Sequence, residues 1–295
     1  MRLLRFALNT MRCRASLAKT VQRDKKMKAM LEKIKELLRT GEITGFIGLK
    51  LQNDHPAPHM FTKDHLDDLE SLLVGNVRYP LNKVLLKVAN QYPDLIFGVM
   101  VRGCDERGLI ELFKWNQLQR DRVVPIGVAC PQELAEACEC YKPYPAQWLV
   151  GERTEGISKS KRLQKVEAMS QKERLNYWLN EFNKCIKCYG CRDVCPMCFC
   201  EVCSLEDRNF ILTGKLPPEN PTFHLSRAVH MVGRCIDCGL CEEACPSNIP
   251  VRTLYKKVNE IVKEYFDYKT GESSEGKSPL NILGEVTLEL SDVNK

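Results

Sequence analysis

The pattern of apolar and polar positions divides the chain into three kinds of segment. The first 90 residues are mostly helical in period. Met30, Leu31, Ile34, Leu37 and Leu38 recur every three or four positions between Met27 and Thr40, and Gly41 supplies a stop, which predicts an amphipathic helix. Ile43 to Leu49 is a short apolar run and predicts a strand. Thr62 is expected to cap a second helix, with Leu66, Leu69, Leu72 and Leu73 on one face and Gly75 at its end. A third helix follows Pro80, with Leu81, Val84, Leu85 and Val88 inward.

Unbroken apolar runs mark the second kind. Leu95 to Val101 and Val123 to Ala129 each suit a strand buried on both faces. Between them Asp105 to Leu118 has helical period, so the unit predicts two parallel strands joined by a crossover helix. Cys104 falls just past the first strand and Cys130 just past the second. Ligand sites in open α/β sheets lie outside the carboxyl ends of strands, so both thiols are expected to face one crevice. Cys138-Glu-Cys140 follows shortly. These four thiols are expected either to hold a third iron–sulfur site or to pack as small apolar residues. A helix through Cys-x-Cys would point the two side chains apart, so only one of Cys138 and Cys140 is expected to ligate.

The third kind is short helices around dense cysteine. Residues 141–165 are polar and rich in Pro and Gly, as in a linker. Ser170-Gln-Lys-Glu173 is a capping box that starts a helix through Tyr177, Trp178, Leu179 and Phe182 into Cys185. There the chain reads Cys185-Ile-Lys-Cys188-Tyr-Gly-Cys191-Arg-Asp-Val-Cys195-Pro, and later Cys235-Ile-Asp-Cys238-Gly-Leu-Cys241-Glu-Glu-Ala-Cys245-Pro. Each is Cys-x2-Cys-x2-Cys-x3-Cys-Pro, the spacing that ligates [4Fe–4S] clusters with the fourth Cys crossing to the other cluster. Cluster one is therefore assigned to Cys185, Cys188, Cys191 and Cys245, and cluster two to Cys235, Cys238, Cys241 and Cys195. Zinc also takes Cys-x2-Cys pairs, but four ligands complete a zinc site and the third Cys and the Cys-Pro would go unused in both repeats. Disulfides would need an oxidising compartment, and no secretory signal is evident, so a cytoplasmic location is expected.

Between the repeats lie Cys198, Cys200 and Cys203, expected first as packed thiols around cluster two and second as an added ligand set. His224 to Val232 reads as the helix feeding Cys235, with His230 packed or at the surface, and Val251 to Tyr265 as a last helix. The tail from Thr270 reads as a flexible linker, and the apolar run beginning at Leu280 as a segment that docks on a partner or folds back.

Composition changes this picture at one end only. Of 295 residues sixteen are Cys, and the net charge is +6. Residues 1–26 alone carry +7, so the remaining 269 sum to −1. No basic face suited to nucleic acid is expected in the folded part. The basic opening reads as a disordered arm, a presequence, or an extension upstream of Met27. No apolar run approaches the roughly 20 residues a membrane helix needs. The expected fold is mixed α+β and α/β, divided into the extension 1–26, an α/β domain with a small parallel sheet over 27–150, a linker and lead-in helix over 151–184, a helix-rich dicluster ferredoxin-like domain over 185–265, and a tail over 266–295.

The ferredoxin stretch, extended through Pro-Met-Cys198-Phe-Cys200, resembles beta-type subunits of formate dehydrogenase and coenzyme-deazaflavin hydrogenase. So do Val101-Arg-Gly-Cys104-Asp-Glu-Arg and Gly127-Val-Ala-Cys130. His224-Leu-Ser-Arg-Ala-Val-His-Met-Val-Gly-Arg-Cys235 is similar to companions of heterodisulfide-reductase-type complexes. The resemblance covers roughly residues 95–255. It implies anaerobic electron-relay chemistry with other subunits of a redox complex, and a further cluster at Cys104, Cys130 and the Cys138/Cys140 pair. Some members bind FAD and reduce a deazaflavin, although no glycine-rich dinucleotide fingerprint accompanies the likeness here. The expected function is a non-catalytic relay of single electrons, since no acid–base or nucleophile constellation surrounds the motifs. The alternative is a flavin-dependent subunit exchanging hydride with a deazaflavin or nicotinamide.

Overall fold

A computed structural model describes residues 25–212, 214–276 and 278–279. The basic stretch before residue 25 and the apolar run from Leu280 lie outside them. Helix α1 (Lys25–Thr40) buries Met30, Leu31, Ile34, Leu37 and Leu38, the stripe its period requires. Strand β1 (Gly45–Gln52) turns at Asn53 and Asp54, both at positive φ, into β2 (His55–Phe61), which pairs with it antiparallel from Phe46↔Phe61 to Gln52↔His55. Two residues at positive φ are what a tight hairpin turn demands, and Asn and Asp tolerate it best. Pro56 and Pro58 hide β2 from the apolar pattern, and they are tolerated because β2 is an edge strand.

The segment after Thr62 is not the expected α-helix. It is a 3-10 turn over Lys63–Ser71 with a break at His65, and the Thr62 side chain makes no cap bond. Helix α2 (Leu81–Gln91) follows Pro80 as expected. Strand β3 (Phe97–Val101) is buried throughout, and α3 (Gly103–Lys114) joins it to the parallel β4 (Val123–Gly127). Since β1 also lies parallel to β3, the order is β2-β1-β3-β4. The sheet is therefore mixed rather than parallel, the difference being the antiparallel edge strand.

Short α4 (Gln132–Ala137) leads into a stretch that is not a free linker. Residues 141–150 cross the ends of β3 and β4, with Cys130 N donating to Pro143 O at 2.8 Å and Ala129 N to Val150 O at 2.9 Å. The crossing is so close that a Cβ on Gly127 would lie 1.8 Å from Gln147 O. Helices α5 (Lys161–Glu167) and α6 (Gln171–Phe182) then deliver the chain to Cys185, the second capped by Ser170 and Glu173.

The cysteine repeats fold alike. Each closes with a four-residue helix, α7 (Gly190–Asp193) in one and α9 (Leu240–Glu243) in the other. Each has two residues at positive φ at equivalent places, Lys187 and Tyr189 in the first, Asp237 and Gly239 in the second. Helix α8 (Thr222–His230) enters the second repeat and α10 (Val251–Phe266) leaves it. Both repeats share one apolar core with the sheet, running from Phe46 and Val99 to Met197, Ile236 and Tyr255.

The start of the tail differs from the flexible linker expected. Tyr268 Oη and the Gly271 amide both donate to Glu111 Oε1 at 2.7 Å, and Thr270 and Ser278 are buried. Glu111 on α3 is fully buried and needs those donors, which anchors the segment.

Candidate iron–sulfur centres

The first repeat alone does not complete a site. Cys185, Cys188 and Cys191 line a pocket whose fourth thiol, Cys245, comes from the second repeat. The positive φ at Lys187 and Tyr189 curls the loop so that successive thiols face inward. Burial pushes Cys185 up to about 11 and Cys191 upward, with neighbouring thiols adding to the shift. Such sulfurs ionise readily only when a cation neutralises them. The pocket wall also holds His224, a residue to which the cysteine motifs do not point. Its spacing from the inward Arg227, Ala228 and Met231 was the available signal. Burial, with Arg227 adding, pushes the imidazole down to about 4. His230, expected packed or at the surface, is exposed.

The second set gathers reciprocally. Cys235, Cys238 and Cys241 lie within electrostatic reach of one another, and Cys195 lies within reach of Cys238. Burial pushes Cys235 up to about 12. The loop is braced by charge. Arg252 Nε donates to Asp237 Oδ1 at 2.7 Å and its Nη2 to Asp237 O at 2.8 Å, while Lys256 Nζ donates to Oδ2 at 2.8 Å. Burial alone would push the Asp237 carboxyl up, but Arg252 and Lys256 outweigh it and hold it below its ordinary range. From the other side Lys83 on α2 donates to three carbonyls, Arg192 O at 3.3 Å and Cys195 O and Cys198 O at 3.2 Å.

Cys198, Cys200 and Cys203 do not meet. Cys198 hydrogen-bonds the Cys195 thiol and accepts from Arg227 Nη1 at 3.5 Å. Cys200 is exposed and accepts from Arg234 Nη1 at 3.8 Å, and Cys203 sits beside Tyr189 and Arg192. Among the described residues no group of three or more His, Cys, Asp or Glu is set closely enough for a single metal ion.

The strand-end thiols do come together. Cys130, Cys138 and Cys140 form a buried group with Leu134, and Cys104 at the start of α3 is within electrostatic reach of both Cys130 and Cys238. The geometric objection to Cys-x-Cys disappears, because α4 ends at Ala137 and Glu139 takes φ 43°, which turns both thiols inward. Two buried arginines are aimed at this group, Arg102 Nη1 at Cys130 Sγ (3.7 Å) and Arg107 Nη2 at Cys140 Sγ (4.0 Å). A pocket opens between Cys104, Cys238, Arg78, Arg102 and Asp105, on the side facing the second cysteine repeat.

All-thiol donor sets with cationic surroundings suit an anionic iron–sulfur group better than a small hard ion. Comparison with known proteins agrees for the second repeat. Residues 228–251 match the family described as a 4Fe-4S binding domain. The chain is also similar to the beta subunit of the F420-dependent formate dehydrogenase of Methanocaldococcus jannaschii. That likeness is 39% identity over 115 residues, covering 39% of this chain and 30% of that protein. A beta subunit of F420-dependent formate dehydrogenase 1 from Methanococcus maripaludis is 43% identical over 103 residues, covering 35% of this chain and 26% of that one. The chain thus spans under a third of the length of the relatives it matches. No described helix is long and apolar enough to cross a membrane.

Proposed function

We propose that this chain is an iron–sulfur electron-transfer subunit, relaying single electrons between a redox-enzyme partner and another carrier. The observation that carries the reading is the cavity lined by Cys185, Cys188, Cys191 and, from the far repeat, Cys245. In this reading those residues hold cluster one, and Cys235, Cys238, Cys241 and Cys195 hold cluster two. When bound, such clusters supply one-electron storage and transfer. The chain's own residues hold, insulate and bias them. Tyr189, Phe223, Ile249 and Val251 give the first site apolar walls, and Asp237, Arg252 and Lys256 lock the loop of the second.

Cys104, Cys130, Cys138 and Cys140 would hold a third cluster. The support is that Arg102 and Arg107, buried beside the Asp105 carboxylate, also direct N–H donors at the Cys130 and Cys140 thiols, surroundings that suit an anionic cluster. The reach between Cys104 and Cys238 would bring that site next to cluster two. The named relatives are subunits of formate dehydrogenase, so the expected partners are the remaining subunits of a complex of that kind. The unpaired thiols suit a reducing compartment such as the cytoplasm.

Anaerobic iron and acid-labile sulfide analysis with EPR of the reduced protein tests this. About eight irons and as many sulfides are expected for the two repeats, and about twelve with the strand-end site filled. Zinc without sulfide would overturn the reading. A flavin spectrum with reduction of a deazaflavin by the chain alone would replace the relay with a catalytic role.

A further inference from the structure

Helix α8 feeds the second repeat, yet two of its inward side chains are not the apolar ones that packing would select. His224 and Arg227 are three residues apart, so they share a face, and each is only 3% exposed. Burying such groups is costly unless partners receive them. Among the described residues neither is fully satisfied: both ring nitrogens of His224 and the Nε of Arg227 lack a hydrogen-bond partner.

Their placement says where the missing partners belong. The His224 ring stacks on Phe182 at 4.5 Å between centroids with the planes 18° apart, and Phe223 meets it edge-on. That sandwich fixes the ring plane while the ring lines the cavity of Cys185, Cys188, Cys191 and Cys245. Arg227 donates Nη2 to Cys191 O at 2.8 Å and Nη1 to Cys198 Sγ at 3.5 Å. The groups nearest in electrostatic reach are the Tyr255 phenol and the sulfurs of Cys198, Cys191 and Cys195. Cys191 belongs to the first thiol set and Cys195 to the second, so this buried cation lies between the two.

We propose that this face of α8 sets the reduction potential of the cysteine-held clusters: His224 donates a ring N–H to a sulfur of cluster one, and Arg227 holds a fixed positive charge between clusters one and two. The inference rests on the two-cluster reading above and assigns these side chains a role as positioning residues. A hydrogen bond to sulfur and a nearby cation both favour the reduced, more negative form, so each raises the potential. His224 acts on one cluster and Arg227 on both. Cys198 extends the second effect, because it links the guanidinium to the Cys195 thiol.

An EPR-monitored redox titration of the full-length, anaerobically purified chain tests this with His224→Phe and Arg227→Met. With iron and sulfide at the wild-type level, the midpoint of cluster one is expected to fall in both variants, and that of cluster two in Arg227→Met only. Arg227→Lys, which keeps the charge, is expected to restore both midpoints, an outcome a purely structural role does not produce. Unmoved midpoints in fully loaded variants overturn the proposal. Should the variants shed iron, wild-type protein labelled with nitrogen-15 histidine decides by pulsed EPR. A weakly coupled histidine nitrogen at reduced cluster one supports the assignment, and its absence overturns it. Wild-type protein lacking iron and sulfide is a separate result, which removes the cluster reading itself.

Discussion

At the scale of single residues, the chemistry is organised by charges buried against the cysteine loops. Asp237 shows how. It sits between Cys235 and Cys238 at positive φ, which costs backbone energy, and it stays there because Arg252 and Lys256 grip its carboxylate from two sides. Removing the anion leaves the buried Arg252 and the half-buried Lys256 facing a neutral amide. Asp237→Asn is expected to destabilise the protein by about 3 kcal/mol, the usual cost of breaking a buried pair from one side. Anaerobic urea unfolding measures it, and a loss under about 1 kcal/mol would mean that the loop is held by packing alone. The motif's eight cysteines were legible in the sequence because their spacing is local. His224 was not, because its importance lies in which cavity the helix turns it toward.

At the scale of elements, capping and turns account for most of what the pattern reveals and conceals. Helix α6 begins where Ser170 and Glu173 cap one another: Ser170 N donates to Glu173 Oε2 at 2.9 Å and Glu173 N to Ser170 Oγ at 3.4 Å. Ser170→Ala is expected to cost about 1 kcal/mol in thermal unfolding. The same box carries a pH signature. The bonds from Ser170 lower the Glu173 carboxyl from its ordinary 4.5. Its contribution is therefore complete above about pH 4.5 and lost as pH falls through the lower folded value. Ser170→Ala should flatten stability against pH in that acid window and leave neutral pH with only the capping loss; an unchanged acid slope would exclude the box as its source. Elsewhere local pattern misled. The leucines after Thr62 have helical period, yet they form a 3-10 turn broken at His65, because the segment follows the edge strand and packs Leu69 and Leu72 under the sheet. Pro56 and Pro58 concealed β2 by the opposite route, since the edge position that tolerates them is a property of the sheet.

At the scale of the whole molecule, the decisive feature is closure of the sheet's carboxyl end. Residues 141–150 cross it, and the crossing is possible only because Gly127 has no side chain to meet Gln147 O. Gly127→Ala must push the two segments apart, at a cost of about 1–3 kcal/mol. Since Cys130 is tied to Pro143 in that same crossing, the substitution is expected to lower iron by about one four-iron equivalent while sparing the repeats. Iron analysis alongside thermal unfolding checks this. Full occupancy with a lowered melting temperature would separate the crossing from the strand-end site.

The sequence by itself determined the two cysteine repeats, the parallel strands with their crossover helix, and the capped helix leading into Cys185. Each depends on residues a few positions apart, where spacing and backbone geometry leave few alternatives. Only the tertiary structure decided that His224 lines the cavity of the first repeat and that Glu139 turns both Cys138 and Cys140 inward. It also decided that the tail is anchored on Glu111, that Cys198, Cys200 and Cys203 part toward different arginines, and that α8 aims His224 and Arg227 at the thiols. These outcomes depend on long-range burial, where a polar group is placed by whichever distant partner can satisfy it. Periodicity along the chain carries no record of that partner.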